Sequence, residues 1–401
     1  MNRVKIIILS VLIVCLIATG VFLKNRNTEE WSVTLLCPSD AAELFEVLGQ
    51  AAHTGWSTPN VVLEVVDAAE YSAAVESRLA DADPPDMVVF TANADIAAAQ
   101  TARLADLTAL LKGTHTMISV EKGDPLRVLP LCGDVPLIFY NKQLFSEEGV
   151  AEPEDMNQFI RVCSYFQMRE ICPLGLSLDP VTEGGDIAPL VDSFLVNASD
   201  ASDVTPEEAA QYGVLMGLLS PLETMRNIGL FEQECAADRS QLFQAFKAGT
   251  YAMVPGYASE ISKMDGMNLP FQYGAFLLSG NSMVTRGVMA PTVSIAMSED
   301  AGEPAQVFAA FLLSEEGQQM IGSRSNAVPI RNNLTQQSEI KKEICAKLEN
   351  TGMTPSFLIK LTEEQRVDFL LTLHRMVIGE DVEFAQVSRI LSGSENNEGG
   401  K

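Results

Sequence analysis

Two carboxylates lie close together in a glycine-containing loop, and they are the pair of residues that comes nearest to acid–base chemistry. Glu183 and Asp186 flank Gly184 and Gly185 in the segment EGGD. Paired carboxylates can act as general acid and base, so an exported hydrolase is one hypothesis. A solvated loop or a ligand contact is the alternative, and we favour it because the sequence has no GxSxG, HExxH, P-loop or GxGxxG motif. We therefore predict a protein that is not an enzyme and has no catalytic residue.

Seven cysteines offer thiol chemistry, but their spacing predicts neither a metal site nor a cofactor. Cys15 lies in an apolar N-terminal run, and no CxxC pair occurs among the others. No histidine lies at metal-ligand spacing from any of them. Disulfide pairing stays open for the other six, which are Cys37, Cys132, Cys163, Cys172, Cys235 and Cys345. Cys163 and Cys172 are the nearest pair in sequence.

Composition and charge exclude one class of partner. The chain has 401 residues, is 47% hydrophobic and carries a formal net charge of −26. This length suits a globular protein of two or more lobes. A surface so acidic repels phosphate backbones, so nucleic acid is not expected as a partner.

The N-terminus has the pattern of an export signal or a membrane anchor. Arg3 and Lys5 precede an uncharged apolar run at residues 6–23. The small residues at 18–20 offer a cleavage site, yet about 18 apolar residues also suffice to span a bilayer. Residues 1–26 are therefore predicted to be a cleaved signal peptide or a membrane anchor, and the sequence leaves both open. Either one predicts a location outside the cytoplasm, in association with the cell membrane.

The N-terminal third alternates predicted strands and helices. Strands are predicted at 31–37, 61–66 and 87–90, and helices at 41–52, 71–80 and 95–111. Asp40, in the turn after the first strand, is predicted to cap the first helix. A βαβα order favours a mainly parallel sheet with helices on both faces. Ligands bind at the carboxyl ends of such strands, here residues 37–40 and 91–95.

The rest of the chain continues the α/β pattern. Two strands are predicted on either side of a Gly-Asp break within 128–145, and further strands at 251–256 and 283–297. Helices are predicted at 153–167, 206–226, 240–248, 339–348 and 363–376. In the segment FAAFLLSEEGQQMIGSRSNAVPIR at 308–331, Ser314 followed by two glutamates predicts a second helix start. The polar tail at 393–401 is predicted to be disordered.

Several segments together resemble one protein family. PPDMVVF is similar to a "PDVV" strand, and TARLADLTALL to a "G-x-L-x-DLT" segment. VLPLCGDVPLIFYNKQLFSEEGVAEPEDMNQFI is the most specific stretch and is similar to "LYYNKDLFEKAGL" followed by a "P-x-TWDEF" helix start. LFQAFKAGTYAMVPGY and the segment at 308–331 resemble further motifs in the same order. With these matches, the chain resembles the extracellular solute-binding proteins of ABC importers, in the group that includes maltose- and oligosaccharide-binding proteins.

The resemblance implies a fold and a mechanism. It implies a type II periplasmic-binding-protein-like α/β fold whose two lobes are joined by crossing segments and close about a hinge on a solute. Lobe 1 would contain residues 31–130 and 286–325, and lobe 2 residues 131–285 and 326–392. The protein would be a monomeric receptor that binds a small solute, a carbohydrate first of all, and delivers it to the permease of an ABC importer.

The resemblance also assigns ligand-binding positions. Asp134 falls where the family places a cleft carboxylate, eight residues before the lysine of YNK, and Tyr257 falls where an aromatic ring stacks on a sugar. The other expected ligand-binding residues are Ser39, Asp40, Thr91, Asn93, Asp95, Glu183, Arg286 and Arg324.

Two departures from the family pattern keep alternatives open. Aromatic residues make up 7% of the chain and only two are tryptophan, whereas sugars stack on aromatic rings. A peptide, a polyamine or another small solute therefore remains an alternative ligand. Val14 precedes Cys15 where a lipoprotein signal needs a small residue. A membrane-anchored sensory or scaffold protein with the same fold and no transport role is the alternative function.

Overall fold

The computed structural model describes most of the chain downstream of the predicted export segment. The described residues are 31–54, 59–91, 103–118, 125–177, 187–198, 205–230, 238–278, 287–331 and 338–393. The predicted export segment at 1–26 and residues 394–401 of the predicted tail lie outside them. Within these ranges, no helix combines the length and the apolar character needed to cross a bilayer.

The described residues contain eleven named strands, fourteen α-helices and three 3₁₀ helices. The strands are β1 (Ser32–Pro38), β2 (Asn60–Val66), β3 (Met87–Thr91), β4 (Val128–Asp134), β5 (Pro136–Asn141), β6 (Cys172–Leu174), β7 (Tyr251–Tyr257), β8 (Tyr273–Phe276), β9 (Gly287–Met297), β10 (Val328–Pro329) and β11 (Met353–Pro355). The helices are α1 (Ala42–Ala52), α2 (Tyr71–Ala80), α3 (Lys142–Glu148), α4 (Met156–Met168), α5 (Ile187–Ala198), α6 (Pro206–Ala209), α7 (Tyr212–Asn227), α8 (Arg239–Lys247), α9 (Ile261–Gly266), α10 (Glu303–Leu312), α11 (Glu315–Arg324), α12 (Glu339–Thr351), α13 (Glu363–Val377) and α14 (Phe384–Ser392). The 3₁₀ helices are η1 (Leu107–Leu111), η2 (Ala258–Glu260) and η3 (Phe357–Lys360).

The chain divides into two compact units. Unit 1 contains Met1–Thr114, Lys122–Leu131 and Val293–Ile321. Unit 2 contains His115–Glu121, Cys132–Thr292 and Gly322–Lys401. Residues 286–292 and 322–325, which the sequence analysis placed in lobe 1, group with unit 2, and so do residues 115–121.

Unit 1 is built on a sheet that is mixed rather than mainly parallel. Strand β1 pairs in parallel with β2, Ser32 opposite Asn60, and with β3. Strand β9 then adds to β3 in the antiparallel direction, Thr91 opposite Val293. The prediction of a mainly parallel sheet is wrong at this strand, because β9 enters from a distant part of the chain and its direction is not set by a βαβ crossover. Fold class and the two-sheet α/β architecture are confirmed.

Apolar side chains from α2 and the central strands form a core within unit 1. Tyr71 and Val75 of α2 pack with Val88 and Phe90 of β3, and all four are at most 2% exposed. The spacing of Tyr71 and Val75, one helical turn apart, places both on the face that covers the sheet. The helix predicted at 71–80 is confirmed to the residue.

Two predictions about helix starts in unit 1 are wrong. The cap position of α1 is Ala41, with no side-chain hydrogen bond, because Ala41 donates its N–H to the Pro38 carbonyl in a tight turn. The helix predicted at 95–111 lies partly outside the described residues, and its described part is not α-helical. Leu104 forms a bridge with Ser298, and only η1 follows. The Asp106 carboxylate there accepts the Thr108 N–H at 2.9 Å, a local bond that competes with a continuous helix.

Unit 2 has a four-stranded sheet of order β6-β7-β5-β8. Strand β5 is antiparallel to both β7 and β8. The two strands predicted within 128–145 are confirmed, but the predicted Gly-Asp break is wrong by one residue, because β4 continues through Gly133 and Asp134 and Val135 alone separates it from β5. Asn141 ends β5 and caps α3 by accepting the Leu144 N–H at 3.0 Å. The helix predicted at 206–226 is wrong in its continuity, because Gln211 has an extended backbone that separates α6 from α7.

The segment at 308–331 contains two helices and a short strand. Leu312 is fully buried near the end of α10, and Ser314 accepts the Gly317 N–H through its Oγ at 3.1 Å. This cap confirms the predicted second helix start at α11. Strand β10 then pairs antiparallel to β4, with Val328 opposite Gly133.

Strand β2 lies at one end of the strand order and keeps apolar side chains at the surface. Val62 is 42% exposed and Val65 is 50% exposed. Glu64 lies between them and binds Arg78 of α2 through its carboxylate at 3.0 Å. The end strand therefore presents two valines beside one ion pair.

Close packing of β4 against β9 gives a test of the fold. A Cβ added at Gly133 would lie 2.3 Å from Met289 Cγ and 2.7 Å from the Ala290 carbonyl oxygen. We expect Gly133→Ala to lower the free energy of unfolding by about 1–3 kcal/mol, because strand backbone has to shift. Gly266→Ala in α9 is the control, since nothing lies within 4 Å of its added Cβ, and it should be neutral or stabilising. Urea unfolding measures both, and equal effects would contradict the packing of β4.

Candidate functional site

The predicted ligand positions that the structure describes fall into a strand-end group in unit 1 and a polar group in unit 2. Each group is described by itself. Asn93, Asp95, Glu183 and Arg286 lie outside the described residues, as does Asp186 of the acid–base hypothesis. Arg324 ends α11 and is exposed.

In unit 1 the structure brings Ser39 and Thr91 to the same edge of the sheet. Leu36 of β1 lies opposite Val88 of the parallel strand β3, and Ser39 directly follows β1 while Thr91 is the last residue of β3. Ser39 is exposed, whereas Thr91 is half-buried at the end of β3. The Ser39 Oγ accepts the Ala68 N–H at 3.2 Å. The two hydroxyl groups therefore border the carboxyl ends of adjacent strands, as parallel pairing predicts.

A residue that the sequence analysis did not select holds these strand ends together. The Tyr71 hydroxyl lies 2.9 Å from the Leu36 carbonyl oxygen and 2.6 Å from the Val89 carbonyl oxygen. Its single proton is shared between β1 and β3 close to where both strands end. Burial raises the pKa of the Tyr71 phenol, and the nearby Cys37 thiol and Asp40 carboxylate raise it further. Tyr71 thus stays protonated and acts as a donor to main-chain carbonyls.

Asp40 acts on the same buried groups through its charge. Burial raises the pKa of the Cys37 thiol to about 12, and the Asp40 carboxylate adds to this rise. Asp40 itself is exposed in the turn after β1. It is therefore a surface carboxylate beside a buried thiol and a buried phenol, available to a ligand from the solvent side.

In unit 2, Asp134 ends β4 and collects several donors. Its carboxylate accepts the Ser259 N–H at 2.9 Å, the Ser259 hydroxyl at 2.5 Å and the Val135 N–H at 3.1 Å. Burial raises the pKa of the Asp134 carboxyl, and the two bonds from Ser259 oppose that rise. The carboxylate therefore fixes the start of η2 against the end of β4, a role that the sequence could not reveal.

Tyr257 ends β7 beside a partly buried ion pair. The Arg239 Nε donates to Glu260 Oε1 at 2.9 Å, and the Arg239 Nη2 donates to the Pro255 carbonyl at 3.0 Å. Glu260 Oε2 in turn accepts the Tyr257 N–H at 3.0 Å. A Cβ at Gly256 would lie 2.7 Å from that carboxylate oxygen, so glycine is needed where the pair meets the strand. The ion pair thereby fixes the backbone that carries the Tyr257 ring.

The electrostatic surroundings of the Tyr257 phenol are acidic. Its pKa is raised well above the ordinary value, first by burial and then by the Asp192 and Asp134 carboxylates. Arg239 opposes this effect. The phenol is therefore a permanent hydrogen-bond donor at physiological pH, with two carboxylate acceptors nearby. Together these groups suit a ligand rich in hydroxyl groups.

Asp192 is the second residue that the sequence analysis did not select. It lies on α5 at 1% exposure, and its Oδ1 accepts the Ser356 hydroxyl at 2.6 Å. Ser356 in turn caps η3, because its Oγ accepts the Leu358 N–H at 3.1 Å. Burial raises the pKa of Asp192 to about 6, and its hydrogen bonds with Ser356 and the main chain of η3 oppose the rise. A single acidic residue in the apolar run IAPLVDSFLV was the available signal, because buried carboxylates need partners.

The cysteine thiols and the possible metal ligands are the remaining reactive groups among the described residues. Cys163 is a buried free thiol whose pKa is raised by burial, so the disulfide between Cys163 and Cys172 that the sequence left open does not form. Across the described ranges, no group of three or more histidine, cysteine or carboxylate side chains is arranged to hold a metal ion. That no metal or cofactor is needed stays a prediction.

Comparison with known proteins agrees with this geometry. Residues 50–346 match the family model described as bacterial extracellular solute-binding protein. No curated protein shows significant similarity to the sequence.

Solved structures share the fold at low sequence identity. The bacterial solute receptor AcbH is 16% identical, with a TM-score of 0.73, and the match covers 90% of this chain and 97% of AcbH. The binding protein MsmE of Bacillus subtilis, in an open conformation, is 15% identical with a TM-score of 0.69, covering 91% and 97%. RafE of Streptococcus pneumoniae is 17% identical with a TM-score of 0.65, covering 90% and 97%. The resemblance stated from the motifs is confirmed, and so is the fold.

Removing the Tyr71 hydroxyl tests its role at the strand ends. Tyr71→Phe leaves two buried carbonyls without their donor, so we expect a loss of about 1–3 kcal/mol in the free energy of unfolding. Thr54→Ala is the control in the same unit, because it removes an exposed hydroxyl that binds the Ala51 carbonyl. Urea unfolding should show less than about 0.5 kcal/mol for the control. An equally small loss for Tyr71→Phe would contradict the shared hydrogen bond.

The raised pKa of Asp192 predicts a pH dependence of stability. Because the folded pKa lies above the ordinary value of 3.8, the stabilisation from protonated Asp192 is complete below about pH 4. It is lost as the pH rises through about 6. Asp192→Asn should flatten this dependence by up to about 3 kcal/mol between pH 4 and 7.

A matched variant keeps the Asp192 carboxyl and changes its surroundings. Ser356→Ala removes a hydrogen bond that lowers the pKa of Asp192, so the pH-dependent region should move to higher pH. Urea unfolding at a series of pH values measures both variants. The same slope in the wild type and in Asp192→Asn would show that Asp192 does not titrate in this range.

Proposed function

The chain belongs to the bacterial extracellular solute-binding protein family, and from this premise we propose that it is the receptor of an ABC importer that binds a carbohydrate. The family match over residues 50–346 is the observation that carries the proposal. The two lobes would close about a hinge on the solute, and the closed form would be recognised by the membrane permease. The protein would be a monomer without catalytic activity.

The chemistry of the polar groups supports a carbohydrate. Ser39 and Thr91 border one strand-end edge, and the Tyr257 phenol lies near two carboxylates. Hydroxyls and carboxylates bind sugar hydroxyl groups, and an aromatic ring packs on the apolar face of a sugar. Related structures agree in ligand class: RafE has been solved with raffinose, and AcbH prefers β-D-galactopyranose.

The remaining predicted positions belong to the same proposal. Asn93, Asp95, Glu183, Arg286 and Arg324 would contribute further polar contacts to the solute, together with Asp40 and Asp134. Residues 1–26 would direct export and either be cleaved or anchor the protein on the outer side of the membrane.

A thermal-shift screen tests the proposal. The panel contains raffinose, galactose, maltose and chitin oligosaccharides, with a tripeptide, spermidine and citrate as members of other ligand classes. A ligand at about 100 times its Kd stabilises the folded state by about 2.7 kcal/mol, so the melting temperature should rise by about 3 °C for a chain of 401 residues. A rise with a sugar supports the proposal. A rise with the peptide or amine alone would overturn the carbohydrate assignment, and no rise at all would favour the sensory or scaffold function.

Substitutions of Tyr257 separate the ring from the hydroxyl. Tyr257→Leu should weaken binding of the sugar by about fivefold, because an aromatic contact is worth roughly 1 kcal/mol beyond its area. Tyr257→Phe keeps the ring and should lose less. Isothermal titration with the sugar that gave the largest thermal shift compares the two. Equal Kd values for the wild type and Tyr257→Leu would remove Tyr257 from the site.

A further inference from the structure

A lysine on α12 is buried without belonging to either group of predicted ligand residues. Lys341 is 8% exposed, and its Nζ donates to the Asn326 carbonyl at 2.9 Å. Burial lowers the pKa of its ammonium, whereas the Asp134 carboxylate and the Cys132 and Cys345 thiols raise it. Lysine is seldom buried, because the side chain gives up its hydration. A lysine whose hydrogen bond goes to a main-chain carbonyl is therefore placed to hold the backbone.

The carbonyl that it holds belongs to a residue with an unusual backbone. Asn326 has a φ of 56°, in the left-handed region, where non-glycine residues carry a steric cost of about 1 kcal/mol or more. Its side-chain Oδ1 lies 3.4 Å from the Ser262 Oγ. Asparagine tolerates this conformation better than most residues, yet the turn still has to be kept by its surroundings. Lys341 and Ser262 supply that restraint from within unit 2.

The chain passes between the units at five places, and Asn326 lies just after the last of them. The first two passages enclose residues 115–121, and the other three fall between Leu131 and Cys132, between Thr292 and Val293, and between Ile321 and Gly322. We call the last three crossings 1, 2 and 3.

Within unit 2 the ends of the crossings lie side by side. Pro329, after crossing 3, pairs with Cys132 of crossing 1, and the Cys132 Sγ lies 3.4 Å from Thr292 Oγ1 of crossing 2. Any reorientation of one unit against the other has to be absorbed by φ and ψ changes at a few residues beside these passages. Asn326 is the residue next to crossing 3 whose backbone is held by a buried cation.

We propose that Lys341 is a positioning residue for the hinge: its ammonium keeps Asn326 left-handed, so that crossing 3 turns there while β10 stays paired with β4. Without the ammonium, Asn326 leaves this conformation more often and the pairing of β10 opens. Lys341 then influences the closure of the lobes without touching the solute. Only this last step depends on the function proposed above.

Hydrogen exchange of the full-length protein without any solute tests the restraint. Lys341→Met keeps the apolar stem and removes the donor. A hydrogen bond to a charged group contributes about 1.5–3 kcal/mol, so the amides in residues 327–330, which are those of Ala327, Val328 and Ile330 because Pro329 has none, should exchange about tenfold faster or more. Lys342→Met is the matched control, because Lys342 is 45% exposed in its side chain and pairs with Glu339 at the surface. It should leave these amides unchanged.

The melting temperature distinguishes positioning from general stabilisation. Replacing a buried charge by an apolar side chain is often neutral or stabilising, so Lys341→Met should keep its melting temperature within about 2 °C while residues 327–330 exchange faster. Unchanged exchange at residues 327–330 would overturn the proposal. A lowered melting temperature with faster exchange throughout unit 2 would also overturn it, since Lys341 would then be a general support.

A second variant reaches the same turn without altering the buried cation. Asn326 is exposed, so Asn326→Ala should leave the fold intact while making the left-handed conformation more costly. Exchange at residues 327–330 should again be faster, and no change would contradict the role given to the turn. These measurements contain no solute, so their outcome does not depend on the outcome of the thermal-shift screen.

Discussion

The pairing of β4, whose residues up to Leu131 belong to unit 1 and whose residues from Cys132 belong to unit 2, is the constraint on which much of the fold depends. Its residues Leu129 and Leu131 are completely buried, so its main-chain groups must find partners within the protein. Strand β10 supplies one edge and β9 the other. The close approach to β9 requires Gly133, and the strand ends at Asp134, whose carboxylate gathers the donors of Ser259. Since Val135 alone separates β4 from β5, the start of the four-stranded sheet follows from where β4 ends.

The groups that surround the candidate ligand positions are held by buried polar contacts. Tyr71 binds two strand carbonyls, Asp192 binds the Ser356 hydroxyl that caps η3, and the partly buried pair of Arg239 and Glu260 holds the backbone next to Tyr257. Such contacts are strong where water is excluded, and an unmet partner would be costly. A receptor profits from this arrangement, because side chains that are already fixed lose little conformational entropy when a solute binds. The position of Tyr257 is thus set by its neighbours before any ligand arrives.

The elements that the sequence predicted well are those with strong periodicity and local signals. The helix at 71–80 and the cap at Ser314 depend on residues within one or two turns, so that local rules suffice. The direction of β9 and the loss of helix near Asp106 depend on partners that are distant in sequence or on a local side-chain bond that competes with the helix. Pairing between distant segments leaves no trace in hydrophobic periodicity.

The same distinction between local and distant contacts applies to the residues of the candidate site. Asp134 was selected because it stands at a fixed distance from the YNK motif, and Ser39 because it follows a clear strand, and their ligand-binding role stays a prediction. Asp192 and Lys341 act through partners more than 10 residues away, Ser356 and Asn326, which only the folded chain brings near. A charged residue in a helical pattern predicts a surface position. Only the folded chain shows that Asp192 and Lys341 are buried.

The exposed valines of β2 affect the tendency of two copies of the protein to associate. An end strand with free main-chain groups can pair with the same strand of another molecule, and Val62 and Val65 would add apolar contact to such an association. The net charge of −26 opposes it, because two acidic copies that approach each other are repelled. Acidic charge therefore serves here as protection against aggregation, and this protection weakens in high salt or at a pH low enough to neutralise the carboxylates. The acidity of the chain, which first served to exclude nucleic acid as a partner, is thus also what keeps this edge soluble.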